Sequence, residues 1–129
     1  MFTPHKRDTA GALPWEYLPA AAGTYKAGQL LKLADGALAP ASAASTTTLP
    51  YLCMADITVE AGGNVPVCRV CNDTIFQTTL SAAAADAKVG TKLQIAAGGL
   101  AVNASAAGSF EVTALEGTDA GDTVWGRFQ

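Results

Sequence analysis

A single histidine, His5, is the only imidazole in this 129-residue chain, and there are only three cysteines. Charged residues make up 15% of the chain, well short of the quarter or so found in an average soluble domain. This scarcity of titratable groups removes most site chemistry. A Ser-His-Asp hydrolase would need His5 to leave an N-terminal segment and enter a cleft. A structural zinc site needs four ligands, and Cys68-Arg-Val-Cys71 is left with only Cys53 and His5 to complete it. In an extended strand, positions 68 and 71 would also face opposite sides of the sheet. The expectation is therefore three reduced thiols, no metal, no cofactor and no enzymatic activity. Gly62-Gly63 and Gly98-Gly99 lack the Lys-Ser/Thr and helix of a phosphate loop. Asp119 and Asp122 lack the ligand spacing of a calcium hand. The net charge of −3 leaves no basic face for duplex nucleic acid. No apolar run has the length of a membrane span. The polar start, Met1 to Asp8, has no following apolar core of a secretory signal, so the expected site of synthesis is the cytoplasm of the producing cell.

What the chain does have is an internal repeat. Aligning Lys26–Ala44 with Lys88–Ala106 gives eight identities in nineteen positions. Several are alanines, but Gly28/Gly90, Leu31/Leu93, Gly36/Gly98 and Leu38/Leu100 fix a turn, a strand and a second turn in the same order. A further shared phrase follows each copy, Ala61-Gly-Gly-Asn-Val65 and Ala120-Gly-Asp-Thr-Val124. Two copies are too few for an open solenoid, so the expectation is an all-β fold, a small barrel or sandwich whose halves cover each other, with the repeat at 26–70 and 88–128. Leu93 and Ile95 alternate with polar neighbours, and by the repeat Leu31 and Leu33 point inward. Asp35-Gly36 and Gly98-Gly99 read as two-residue hairpin turns. Strands are expected near 51–55, 65–71, 75–80, 110–115 and 124–128, with a turn or two of helix over Ser81–Lys88 capped by Ser81.

Residues 1–23 differ from the single β domain assigned to 24–129. Pro4, Pro14 and Pro19 forbid a helix, and Phe2, Leu13, Trp15, Tyr17 and Leu18 show no strand-like alternation. The segment reads as an extended arm. Its rings must pack either on its own domain or on a neighbour, and the neighbour is the reading adopted. His5-Lys6-Arg7 is ordinarily a solvated terminus; the alternative is contact with an acidic partner surface.

The succession Tyr25-Lys-x-Gly-Gln-x-Leu-Lys-Leu33, Tyr51-Leu-Cys-Met54, Gly62-Gly-Asn-Val-Pro-Val-Cys-Arg-Val70, Thr78-Thr-Leu-Ser81, Lys88-Val-Gly-Thr-Lys-Leu-x-Ile95 and Asp122-Thr-Val-Trp-Gly-Arg-Phe128 resembles the head decoration, or capsid cement, proteins of tailed phages and prophages of Gram-positive bacteria. The resemblance spans residues 24–128. It implies a tulip-like or barrel-like β fold, no catalysis, and a place on the outer capsid surface of the virion. The implied partner is the major capsid protein, engaged by homotrimers, with neither nucleic acid nor membrane bound. The arm supplies the expected contact residues: Phe2, His5, Lys6, Arg7, Leu13, Pro14, Trp15, Tyr17 and Leu18. The alternatives are a head-fibre or tail attachment module and a carbohydrate-binding adhesive β domain.

Overall fold

The computed structural model describes residues 1–7, 15–42 and 49–129. In chain order these residues form β1 (Thr3–Arg7), β2 (Trp15–Pro19), β3 (Gly23–Tyr25), β4 (Leu30–Ala34), β5 (Ala37–Pro40), β6 (Tyr51–Cys53) and β7 (Ile57–Val59), then β8 (Asn64–Arg69), β9 (Thr74–Thr79), β10 (Lys92–Ile95), β11 (Val102–Ala106), β12 (Phe110–Leu115) and β13 (Thr123–Phe128). The architecture is all-β and sandwich-like, and among the described residues no sheet closes into a barrel. All strand pairings within the sheets are antiparallel.

The duplication is visible in the topology. One sheet runs β2-β8-β6-β4-β5. The other repeats that order as β9-β13-β12-β10-β11, with β1 added outside β9. Hydrogen bonds at the turns match as well. Gly28 N–H donates to the Cys53 carbonyl as Gly90 N–H does to that of Val112. Ala20 N–H donates to Gly63 as Leu80 N–H does to Asp122. The Lys26 and Lys88 amides donate to the side-chain oxygens of Gln29 and Thr91. A lone parallel bridge, Ala20 to Leu38 in one unit and Leu80 to Val102 in the other, ties the first strand of each unit to its last. The repeat therefore begins at β2, eleven residues before the Lys26 that marks it in the sequence. Within the segment expected to be an arm, Thr3–Arg7 and Trp15–Pro19 are strands paired into the two sheets of the domain rather than an appendage to it.

The two sheets do not present equivalent faces to each other. Leu93, Phe110 and Val124 point into the large core between the sheets, together with Phe76, Val112 and Phe128. Their counterparts Leu31, Tyr51 and Val65 point the other way, into a second core closed by β3 and β7 through Tyr25, Ile57 and Val59. The first sheet fills the large core with its opposite face, through Leu30, Leu52, Cys68 and Val70. Alternation along β4 makes this possible: adjacent Leu30 and Leu31 are both fully buried, each in a different core. On the second sheet the positions matching Leu30, Leu52 and Cys68 are Lys92, Glu111 and Arg127, and that face is polar. The units stack in tandem instead of mirroring each other. Leu31 and Leu93 do occupy matching buried places in the strand order, as the repeat implies, whereas Leu33 is 46% exposed.

Two local expectations give way to tertiary structure. Asp35 and Gly36 adopt φ of 52° and 77° and reverse the chain in two residues, with Ala34 opposite Ala37. The second hairpin is longer. Ile95 pairs with Val102, so residues 96–101 form the loop and Leu38 corresponds to Val102 rather than to Leu100. Gly98 and Gly99 still take φ of 90° and 76°. They do so because Gly99 lies against β4, where its carbonyl accepts the Leu30 amide at 2.7 Å and a Cβ would collide with the Leu30 carbonyl. Over Ser81–Lys88 there is no helix. Ala84 is buried and donates its amide to the Thr118 carbonyl at 2.7 Å. This bond stands where β3 pairs with β7 in the first unit, and it overrides the helix propensity of the alanine run.

Candidate partner-binding surface

The residues expected to contact a partner are divided between two sheets. Phe2 is not available for contact: it is 1% exposed, with its ring centroid 5.9 Å from those of both Phe110 and Phe128. Its amide donates to the Gly28 carbonyl at 2.8 Å. The reason is geometric. The duplicated unit has five strands, β1 extends the second sheet at β9, and the residue before β1 drops into the open end of the large core. His5 and Lys6 are exposed on β1, the His5 ring 6.2 Å from that of Trp125. Arg7 is held by an ion pair to Asp73, Nε to Oδ2 at 3.0 Å, and so is not a free cation for an acidic partner. Leu13 and Pro14 lie outside the described residues.

Trp15, Tyr17 and Leu18 share β2. Leu18 packs against the second core, the one closed by β3 and β7. Trp15 and Tyr17, 55% and 65% exposed, stand on the other face of the strand, one repeat distance apart. Between them Glu16 points to the Leu18 side, where it feels the charge of Arg69, and its Oε2 is shielded from water with no hydrogen-bond partner among the described residues. β2 is an edge strand: among the described residues β8 is the only strand paired along it. The orientation of its outer groups follows from Pro66. Met54 N–H donates to the Pro66 carbonyl at 3.0 Å, which turns Pro66 toward β6 and away from its β2 partner, Tyr17. Tyr17 must then direct its own N–H and C=O outward, and Trp15, two residues away, does the same. At Pro19 the edge ends against the Ala20–Leu38 bridge. The open edge is therefore short, from Trp15 to Tyr17. It carries two donors, two acceptors and two exposed rings.

Neither Glu16 nor this edge was found by sequence reasoning. Trp-Glu-Tyr-Leu-Pro shares no residue with Ile75-Phe-Gln-Thr-Thr79, so the alignment gave no sign that the two segments occupy equivalent places. The available signal was the two-residue alternation of Trp15 and Tyr17 with Glu16 and Leu18, which is obscured because both faces carry an apolar residue.

The thiols are spread through the fold. Cys53 lies in the second core and Cys68 in the large one. Burial pushes both thiols up from their ordinary value, in Cys68 against the pull of the Arg7 guanidinium. Cys71 lies beyond the end of β8 rather than on the same strand as Cys68, and it is half-buried. Among the described residues no three His, Cys, Asp or Glu side chains gather in a way that would hold a metal ion, and no helix is long and apolar enough to cross a membrane. A groove of about 540 Å³ runs beside Ala84, Asp86, Lys88, Thr91 and Leu93. Its Thr91 hydroxyl accepts the Lys88 amide. On the outer face of the second sheet, Trp125 Nε1 donates to Gln77 Oε1 at 3.2 Å, next to His5. No protein-family model matches the chain, and a search of curated proteins found no relative.

Proposed function

We propose that this protein is a non-catalytic structural component of a phage or prophage particle that binds the outer surface of the assembled capsid and stabilises it. The observation that carries the reading is the pair Trp15 and Tyr17, exposed side by side on an edge strand that is itself firmly built into the domain. Rings of this size are costly to leave in water, and anchors of binding energy are drawn mostly from Trp, Tyr and Arg. The ordered motifs from Tyr25 to Phe128, which resemble capsid decoration proteins, supply the partner: the major capsid protein. A ligand that binds the lattice and not the free subunit stabilises the lattice by mass action, so no catalysis is needed. Trimers, which the resemblance implies, would add avidity without stronger single contacts.

The test is co-sedimentation with purified capsids. Trp15→Ala is expected to weaken attachment by about 1 to 3 kcal/mol while leaving the fold intact. Full-length protein that ignores assembled capsids would reject the reading. Removing residues 1–18 is not a usable test, because it takes Phe2 out of the core and deletes β1 and β2.

A second reading, a sugar-binding face, is favoured by one observation, the Trp125 ring flanked by Gln77 and His5 on the outer side of the second sheet. Glycan binding that is lost in Trp125→Ala and retained in Trp15→Ala would select it.

A further inference from the structure

The internal duplication provides a built-in comparison for the β2 edge. In the second unit the strand equivalent to β2 is β9. Leu18, Tyr17 and Glu16 pair with Val65, Pro66 and Val67 as Thr78, Gln77 and Phe76 pair with Val124, Trp125 and Gly126. The outer edge of β9 is occupied: β1 lies along it antiparallel, with Thr3 opposite Gln77, Pro4 opposite Phe76 and Lys6 opposite Ile75. Moved to the first unit, those positions face Tyr17, Glu16 and Trp15. Among the described residues nothing pairs there. Among the described residues the same fold thus shows one copy of this edge filled and one copy unpaired, and the unpaired copy presents outward N–H and C=O groups from Trp15 and Tyr17.

We propose that the Trp15–Tyr17 edge of β2 accepts an antiparallel strand from a different polypeptide, one with a basic side chain opposite Glu16. Strand addition satisfies four backbone groups at once, with the affinity coming from the main chain and the selectivity from alternate side chains. β-Branched residues opposite Trp15 and Tyr17 pack on the two exposed rings. On the other face the middle residue stands directly across from Glu16. Because Glu16 bonds inward to β8, this is a non-hydrogen-bonded pair with Cα atoms about 4.5 Å apart, and a Lys or Arg there brings a donor to the Oε2 that has none among the described residues. The same geometry argues against a second copy of this chain as occupant. The only register that uses both Trp15 and Tyr17 in a two-fold pairing sets Glu16 against Glu16, and like charges directly opposite destabilise a pair. In naming a capsid segment as the incoming strand, the inference rests on the function proposed above; the edge itself is testable without a capsid.

The test is a titration of the full-length, isotopically labelled chain with two blocked pentapeptides, Thr-Val-Lys-Val-Thr and Thr-Val-Glu-Val-Thr, followed by amide NMR. Saturable shifts centred on the Trp15 and Tyr17 amides are expected, with the Lys peptide bound at least about fivefold more tightly than the Glu peptide. Glu16→Lys should reverse that order, and Glu16→Gln, which preserves shape, should erase it. Tyr17→Pro removes the outward N–H while sparing the ladder to β8, and should weaken both peptides by about tenfold. No saturable shift up to about 10 mM peptide, shifts centred elsewhere, or equal affinity for the two peptides would overturn the proposal. If the edge fails while capsids still capture the protein, strand addition is rejected and the capsid reading stands. If the edge captures the Lys peptide while capsids are ignored, the edge assignment stands and the capsid reading does not.

Discussion

Replacing Phe2 with Ala is the most informative single perturbation, because an arm laid on a neighbour and a strand anchored in the domain predict opposite results. As an exposed arm residue Phe2 would contribute to binding and almost nothing to folding. In the structure it is 1% exposed, in edge contact with Phe110 and tilted against Phe128, each at 5.9 Å between centroids. Phe110 and Phe128 themselves stand 5.2 Å apart, and Phe76 lies 5.8 Å from Phe128. Removing one ring from this four-ring cluster leaves a cavity at the sheet interface, for which buried Phe→Ala changes cost about 3 to 5 kcal/mol. Against a typical domain stability of about 5 to 15 kcal/mol, that is a large fraction of the total. Equilibrium urea unfolding monitored by near-ultraviolet circular dichroism measures it directly. Trp15→Ala is the internal control, expected to change stability by less than about 0.5 kcal/mol because the site is solvated. A Phe2→Ala variant within 1 kcal/mol of the parent would show that the N-terminal strand does not anchor the domain in solution.

Three further outcomes test the packing. Thr78 is buried with a hydroxyl that has no partner among the described residues, at the place where the first unit carries Leu18, so Thr78→Val should stabilise by about 1 kcal/mol in the same unfolding assay. Gly99→Ala sets a methyl against the Leu30 carbonyl at positive φ, and should lower the melting temperature by several degrees, about 2 to 4 kcal/mol of destabilisation; an unchanged melting temperature would mean that the 96–101 loop is not held against β4. The thiols of Cys53 and Cys68 are raised by burial, so the native state holds protons that the unfolded chain releases. Their contribution is complete below the unfolded thiol value of about 8.5 and is lost as pH rises above it. Folding stability should therefore fall above that pH and fall less in the Cys53→Ala, Cys68→Ala double variant, and under native conditions Cys71 should react with a thiol reagent ahead of the other two.

Legibility in the sequence followed the physics of each segment. Where a strand has one dry and one wet face, as with Leu93 and Ile95 or Phe110 and Val112, the pattern marked it. Where a backbone angle needs glycine, as at Asp35-Gly36, the turn was marked as well. The second hairpin misled because the matches Leu38/Leu100 and Ala39/Ala101 are real identities in an alanine-rich stretch, and they concealed two additional loop residues that bring Gly99 to β4. The alanine run at 82–85 carries genuine helix propensity, which the Ala84 amide gives up for the Thr118 carbonyl. The strand nature of residues 15–19 was hidden for another reason. An edge strand whose one face packs through Leu18 and whose other carries exposed rings has no simple polar and apolar rhythm, and its structural twin, residues 75–79, is chemically unrelated to it.

The tandem stacking also explains why the two units diverged so far in sequence while keeping one topology. Each β position of the repeat has two faces, and the two units use them differently. The first sheet is dry on both sides at its centre, so Leu30 and Leu31, Tyr51 and Leu52, and Val67 and Cys68 are consecutive apolar pairs. The second sheet is dry on one side only, and its matching pairs read Lys92-Leu93, Phe110-Glu111 and Gly126-Arg127. A sheet buried on both faces loses period-two alternation, so identity survives mainly at turns, where backbone geometry rather than burial sets the residue. This asymmetry also sets which surfaces of the two sheets stay exposed. The first sheet is covered on both faces at its centre, and what it leaves exposed lies at its rim, where β2 carries Trp15, Tyr17 and outward backbone groups unpaired among the described residues. The second sheet keeps a polar outer face around Glu111, Trp125 and Arg127, but its β9 edge is already taken by β1. Converting Trp125 to Ala should therefore leave strand capture at β2 unchanged, because that residue lies on the other sheet; peptide shifts that moved with Trp125 instead of Tyr17 would relocate the binding surface to the second unit.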